Sequence, residues 1–189
     1  PTFTAGGPAF NGHDYMTFDG SNDQLLFDNT ILNNQQYTIY TVVERTSSGQ
    51  DYIMGTQTGS KNRGLHFGYR NNTTLTLAHY ANDVNVGVSA YTLNNGTSPS
   101  ILRGRLTTSG KSITEIRDGV IKTGQHGNTE TLTNTGQGVI GNGFSSNWFN
   151  GHLTEVLVYT RPLSDIEMRR VETYFNLKYA ISIEPGYHL

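Results

Sequence analysis

Thr38-Ile39-Tyr40-Thr41-Val42-Val43 decides how this chain is read. Polar and apolar side chains interleave there with a period of two, and the residues are β-branched or aromatic. Successive side chains of a strand point to opposite faces, so this run reads as a strand. The pattern returns in Leu65-His66-Phe67-Gly68-Tyr69 and in Leu75-Thr76-Leu77. Working outward, strands are predicted at 15–18, 24–27, 37–45, 52–55, 65–69, 74–80, 84–88, 100–106, 112–117, 138–140 and 152–159. Turn residues separate them: Asp19 to Asp23, Ser109-Gly110, Asp118-Gly119 and Gly124 to Asn128, among others. Gly, Asn and Asp supply the positive φ that hairpin turns require. Roughly ten short strands at this spacing imply an antiparallel sandwich or barrel.

Leu163-Ser164-Asp165-Ile166-Glu167-Met168 breaks the alternation. Ser164 with Glu167 three residues on forms a capping box, and Leu163 with Met168 forms a hydrophobic staple. Met168, Val171, Phe175 and Tyr179 then make one apolar stripe. Pro162 bars helical continuation upstream. The spacing predicts a helix over about 164–180, held by that stripe against the sandwich, and an irregular tail over 181–189. One domain over 1–189 is expected.

Composition narrows the function classes. There is no cysteine, which removes disulfide scaffolds, thiol catalysis and cysteine-ligated metal centres. Thirteen Lys and Arg against 15 Asp and Glu give a net charge of −2. No basic run is present, so nucleic acid is not expected as a partner. No apolar run approaches the ~18–20 residues of a membrane span, and the first residues lack the pattern of a secretion signal. Charged residues make up 15%, against about 25% in average domains; Gly, Asn, Thr and Ser fill the difference.

Two stretches carry a family resemblance. Tyr15-Met16-Thr17-Phe18-Asp19-Gly20-Ser21-Asn22-Asp23-Gln24-Leu25 resembles the opening strand of the laminin-G-like, concanavalin A-like jelly-roll superfamily in its bacterial and phage form. The run from Phe149-Asn150-Gly151-His152-Leu153 through Tyr159 to Glu167, with Tyr174 and Lys178-Tyr179, is similar to its closing strand and short C-terminal helix. Arg117-Asp118-Gly119-Val120 stands where the family has its Asn-Gly hairpin. Many relatives have a further strand ahead of this start; here it is either absent or replaced by another segment at the edge. The resemblance implies an all-β, antiparallel jelly-roll β-sandwich with one short C-terminal helix. It also implies glycan-directed recognition, expected at the surface of an extracellular or phage-type assembly.

The candidate chemistry is sparse. Glycosidases need two carboxylates across one sugar. The laminarinase-like Glu-x-Asp-x-x-Glu run is missing, and Glu155 stands alone in its strand. No Gly-x-Ser-x-Gly elbow exists, so the expectation is no enzyme. His13, His66, His79, His126, His152 and His188 show no i, i+4 pairing, and they are expected on loops or sheet surfaces. Asp19-Gly20-Ser21-Asn22-Asp23 offers oxygens to Ca²⁺, but the same residues build a turn through their own backbone. The turn is the favoured reading, and no metal or cofactor is expected. The glycines from Gly136 to Gly143 lack the helix and lysine of a phosphate cradle and read as loop glycines.

Sugar binding needs an exposed aromatic ring beside amide side chains. Asn142-Gly143-Phe144-Ser145-Ser146-Asn147-Trp148 fits best, unless Trp148 plugs the sandwich end as core. His66 and Tyr80 could extend such a site if their strand face is wet. The expected carbohydrate-binding residues are therefore Trp148, Asn147, Asn142, His66 and Tyr80. The expected partner is a glycan or cell-surface polysaccharide at an extracellular or virion surface. The alternative is a structural virion protein, a capsid decoration or tail component. It would use the jelly roll, or an exposed tail over 183–189, to contact other virion or cell-surface subunits.

Overall fold

A computed structural model describes residues 1–56, 58–87, 98–133, 136–143, 146–184 and 186. Its strands are β1 (Thr2–Thr4), β2 (Tyr15–Asp19), β3 (Leu25–Asp28), β4 (Tyr37–Arg45), β5 (Asp51–Thr56), β6 (Leu65–Asn71) and β7 (Thr74–His79). They continue as β8 (Asp83–Gly87), β9 (Ser100–Thr107), β10 (Gly110–Arg117), β11 (Val120–His126), β12 (Gln137–Ile140) and β13 (Asn150–Tyr159). One helix, α1 (Asp165–Tyr179), follows. The strands form two antiparallel sheets, ordered β1-β2-β13-β4-β9-β10-β11 and β3-β12-β5-β6-β7-β8. The non-consecutive neighbours are those of a jelly-roll sandwich.

Three layers and two cores result. Between the sheets, Ile39 and Val43 of β4, Leu65, Phe67 and Tyr69 of β6, Leu75 and Leu77 of β7 and Leu102 of β9 are buried together. The opposite parity of β4, Tyr40 and Val42, joins Ile101, Ile116, Met168, Phe175 and Tyr179 in a second core under α1. All nine β4 residues are therefore buried. The central strand has no wet face because the helix covers the face that solvent would otherwise take.

The helix matches its sequence signature. The Ser164 side chain accepts from the Glu167 N–H, and the Glu167 side chain accepts from the Ser164 N–H. The Thr38 hydroxyl accepts from the Leu163 N–H at 2.9 Å and donates to the Arg161 carbonyl at 3.2 Å. These bonds fasten the approach to α1 onto β4. Ala180, left-handed at φ 54°, ends the helix.

Several expectations need correction. Gly124 to His126, read as turn, lie in β11, where Ser112 pairs with Gln125 and Ile113 with Gly124. β11 is a half-exposed edge strand of mixed polarity, so no alternation marks it. β1 was also not predicted; it pairs with β2, Phe3 opposite Met16, and so covers the β2 edge. The strand expected over 138–140 is present as β12, with Gly138 opposite Phe27. The tail is not free at its start. Ile181 and Ile183 are buried in the second core, and the Ser182 carbonyl accepts from the Gly119 N–H at 3.0 Å. Ile183 therefore cannot reach a neighbouring chain; residues 185 and 187–189, like Val88 of the expected strand, lie outside the described residues. His79 is not at the surface but between the sheets, fully buried.

Candidate functional site

The outer face of the six-stranded sheet follows from strand parity. Leu65, Phe67 and Tyr69 fill the inter-sheet core, so His66 and Arg70 project the other way. On β7 the same rule sends Thr76 outward, and on β8 Asp83 and Asn85. A bulge on β5 between Tyr52 and Met54 turns both Ile53 and Met54 into the core and leaves Tyr52 on the opposite side, where it and His66 are nonetheless buried, 3% and 9% exposed.

Aromatic rings form a row across these strands. Tyr52 and His66 stack with centroids 4.7 Å apart and planes 11° from parallel. Tyr80 meets His66 edge-on at 6.0 Å and is 37% exposed, which makes it the accessible end of the row. Gln50 Nε2 donates to the Tyr52 hydroxyl at 2.7 Å. Arg70 pairs with Asp83 at 3.2 Å.

The loop before β13 borders this row. Asn142 bridges to Trp148 in antiparallel fashion, and the Gly143 N–H donates to the Asn147 carbonyl at 3.3 Å. A Cβ on Gly143 would sit 2.1 Å from the Tyr52 ring. Only glycine lets the loop lie this close. Asn142 is buried, while Asn147 and Trp148 are partly buried. Phe144 and Ser145 lie outside the described residues.

The five expected residues thus fall into two groups, His66 with Tyr80 and Asn142 with Asn147 and Trp148, and Tyr52 joins them. Tyr52 was missed because the bulge reverses its parity, and one sequence gives no sign of a bulge. A tyrosine two residues after Gln50 and facing a histidine strand was the only available hint.

The polar groups here are incompletely satisfied. His66 Nε2, Thr76 Oγ1, Asp83 Oδ1 and Asn142 Oδ1 are buried with no hydrogen-bond partner among the described residues. Such groups carry an energetic penalty until something bonds them. Burial chiefly lowers the His66 pKa, and Arg70 lowers it further, while Asp83 acts in the opposite direction. The imidazole is neutral near pH 7 and can offer one donor and one acceptor.

The carboxylates singled out in the sequence, Glu155 and the Asp19–Asp23 pair, are engaged structurally. Glu155 accepts from Tyr179 at 2.5 Å, from Tyr174 at 3.0 Å and from Lys178 at 2.9 Å. In the Asp19–Asp23 turn, Asp19 Oδ1 accepts from the Ser21 N–H, and Asp23 Oδ2 accepts from the Asp19 N–H. These backbone bonds build the turn as expected for Asp at such positions. No described helix is long and apolar enough to cross a membrane.

Solved structures share the fold at low identity. Domain 4 of AbnA, a GH43 extracellular arabinanase from Geobacillus stearothermophilus in complex with arabinotriose, is 15% identical with a TM-score of 0.65, covering 87% of this chain and 78% of that one. The Ruminococcus gnavus IT-sialidase CBM40 bound to α2,3 sialyllactose is 15% identical with a TM-score of 0.60, covering 90% and 97%. The enzymatically active domain of bacteriophage CBA120 tailspike protein 2 is 14% identical with a TM-score of 0.68, covering 98% of this chain but 30% of that one. No curated protein sequence matches. Residues 19–168, most of the chain, match the laminin G family model described as the concanavalin A-like lectin/glucanases superfamily. With its two antiparallel sheets and C-terminal helix, the chain belongs to that superfamily.

Proposed function

We propose that this protein is a non-catalytic glycan-binding domain, displayed at an extracellular or virion surface, whose sugar site is the outer face of the six-stranded sheet. The observation that carries the reading is the Tyr52–His66–Tyr80 row flanked by unpaired buried polar atoms. Tyr80, 37% exposed, is the ring that can take the C–H surface of a sugar, with the buried Tyr52 and His66 rings backing it, and the His66, Asp83 and Asn142 groups suit the sugar's hydroxyls. Trp148 and Asn147 border the same face through the Asn142 loop. Support comes from AbnA domain 4 and the CBM40 module, which share the fold and are described with arabinotriose and sialyllactose. The engagement of Glu155 by its three partners leaves it no general acid–base role.

A glycan array, run with and without a metal chelator and followed by titration calorimetry of the hits, tests this reading. Saturable binding that survives chelation and weakens about tenfold in Tyr80→Ala, equivalent to about 1.4 kcal/mol, is the expected result. Tyr80 is exposed enough for the variant to fold. Silence across the array overturns the reading.

A second reading, a structural subunit, draws on the β3 edge, where Leu25 and Leu26 are 39% and 56% exposed. An apolar edge strand invites another chain. Array silence together with a multimer by light scattering would favour it.

A further inference from the structure

On the far side of the molecule, where α1 lies against the seven-stranded sheet, two clefts adjoin. One, of ≈ 400 Å³, opens between the start of α1 and β9–β11 and includes Thr123, Asp165 and Arg169. The other, of ≈ 410 Å³, lies by the β9–β10 hairpin and includes Thr107, Lys111 and His126. Arg105, Ser112 and Gln125 line both. The register explains this: Arg105 pairs with Ser112 and Ser112 with Gln125, so the three form one row across three strands.

Arg103 and Arg105 share this face of β9 but differ in state. Arg103 is neutralised by Glu172. Arg105 has no ion-pair partner among the described residues, and its Nε is buried with no acceptor. Asp165 is the acidic member of the lining, and it is not within ion-pair distance of Arg105. A desolvated guanidinium N–H without an acceptor is costly. Its planar fork matches carboxylate and sulfate oxygens two at a time. The neighbouring Ser112, Thr123 and Gln125 offer hydroxyl and amide groups suited to a polyhydroxylated chain.

We propose that this cleft binds the acidic group, carboxylate or sulfate, of an anionic saccharide, with Arg105 as its anchor. The site is separate from the aromatic face and does not depend on it.

Amide-resolved NMR titration of the intact chain at low salt tests the proposal. The probes are trigalacturonate, its methyl ester, a sulfated disaccharide and sodium sulfate. Saturable shifts around Arg105, Ser112 and Gln125 are expected with an acidic saccharide. The carboxylated and sulfated probes distinguish the two acidic groups. The ester should bind at least about tenfold more weakly, because it cannot accept a charge-assisted pair of bonds. Arg105→Gln should lose about tenfold in affinity with its melting temperature retained. Ser112→Glu, which leaves Arg105 in place but sets a competing carboxylate beside it, should give the same loss. Tyr80→Ala should leave this binding unchanged, which separates its failure from failure of the aromatic site. Binding unaffected by both Arg105→Gln and Ser112→Glu, equal binding of acid and ester, or no binding of either acidic saccharide overturns the proposal. Sodium sulfate binding as tightly as the sulfated sugar means an adventitious ion only, and also overturns it.

Discussion

The Arg103 guanidinium of β9 meets the Glu172 carboxylate of α1 beneath the helix, where Glu172 is wholly inaccessible to solvent. The Tyr40 hydroxyl donates to the same carboxylate oxygen at 3.2 Å, and Arg103 also donates to Thr114 at 3.0 Å. Together with the bonds from Tyr174, Lys178 and Tyr179 to Glu155 of β13, this pair fixes the rotation and register of the helix. Removing one member of a buried ion pair strands the other charge, at a cost of about 3–5 kcal/mol. Glu172→Ala should therefore lose about that much in urea unfolding. The double variant Arg103→Met with Glu172→Leu should recover most of it, because no charge is left buried. A single-variant loss below about 1 kcal/mol would show that the pair does not hold the helix.

Phe175 tests the apolar part of the same interface. Its ring lies 5.8 Å from Tyr40 and 6.2 Å from Tyr179 and is fully buried. Phe175→Ala should cost about 3–5 kcal/mol through lost transfer energy and the cavity left behind. Leu177, two residues along and 75% exposed, provides the control. Leu177→Ala should change stability by no more than about 0.5 kcal/mol. Equal effects of the two on the thermal midpoint would contradict the docking of α1.

These contrasts show what the sequence could reveal. The helix was readable because its signals are local: Ser164 and Glu167 cap it, and Phe175 and Tyr179 mark its inner face. The β4 strand was readable for the same reason. Glu172 was not, since a glutamate on a helix reads as solvated until a partner from a distant strand is known. β11 was hidden because an edge strand beside solvent needs no alternation. In the candidate site, His66, Tyr80 and the Asn142–Trp148 loop were readable as residue types suited to sugars. Their common placement was not, because it depends on the β5 bulge that turns Tyr52 outward.

The Asp118-Gly119 turn isolates a purely backbone effect. Arg117 pairs with Val120 across it, and Asp118 and Gly119 have φ of 52° and 75°. Two consecutive left-handed residues make the mirror-image turn that matches strand twist. A Cβ on Gly119 would meet nothing within 4 Å, so Gly119→Ala carries no steric clash with neighbours. It should still cost about 1–2 kcal/mol, the left-handed penalty of an L-residue. Guanidinium unfolding of the variant checks this. A neutral or stabilising result would mean that the hairpin does not keep this turn.

His79 gives the fold a pH dependence with a defined sign. Its Nδ1 lies 2.8 Å from the Glu130 carbonyl, which can only accept, so Nδ1 carries the proton. Nε2 is then the acceptor for the Tyr37 hydroxyl at 2.7 Å. Burial keeps Tyr37 protonated by raising its pKa. Burial first, and the nearby Lys111 charge second, lower the His79 pKa from 6.5 to about 3. The unfolded chain therefore binds a proton below about pH 6.5 that the folded chain refuses until near pH 3. Stability from this group is complete above pH 7 and falls with pH across that window, by up to about 1.4 kcal/mol per pH unit. Between pH 7 and pH 5 the loss should be about 2 kcal/mol. His79→Gln keeps a polar side chain without the titration, so it should be less stable at pH 7 yet lose less on acidification. Urea unfolding of both proteins at the two pH values measures the difference in slope. Parallel losses would mean that the imidazole is not held neutral between the sheets.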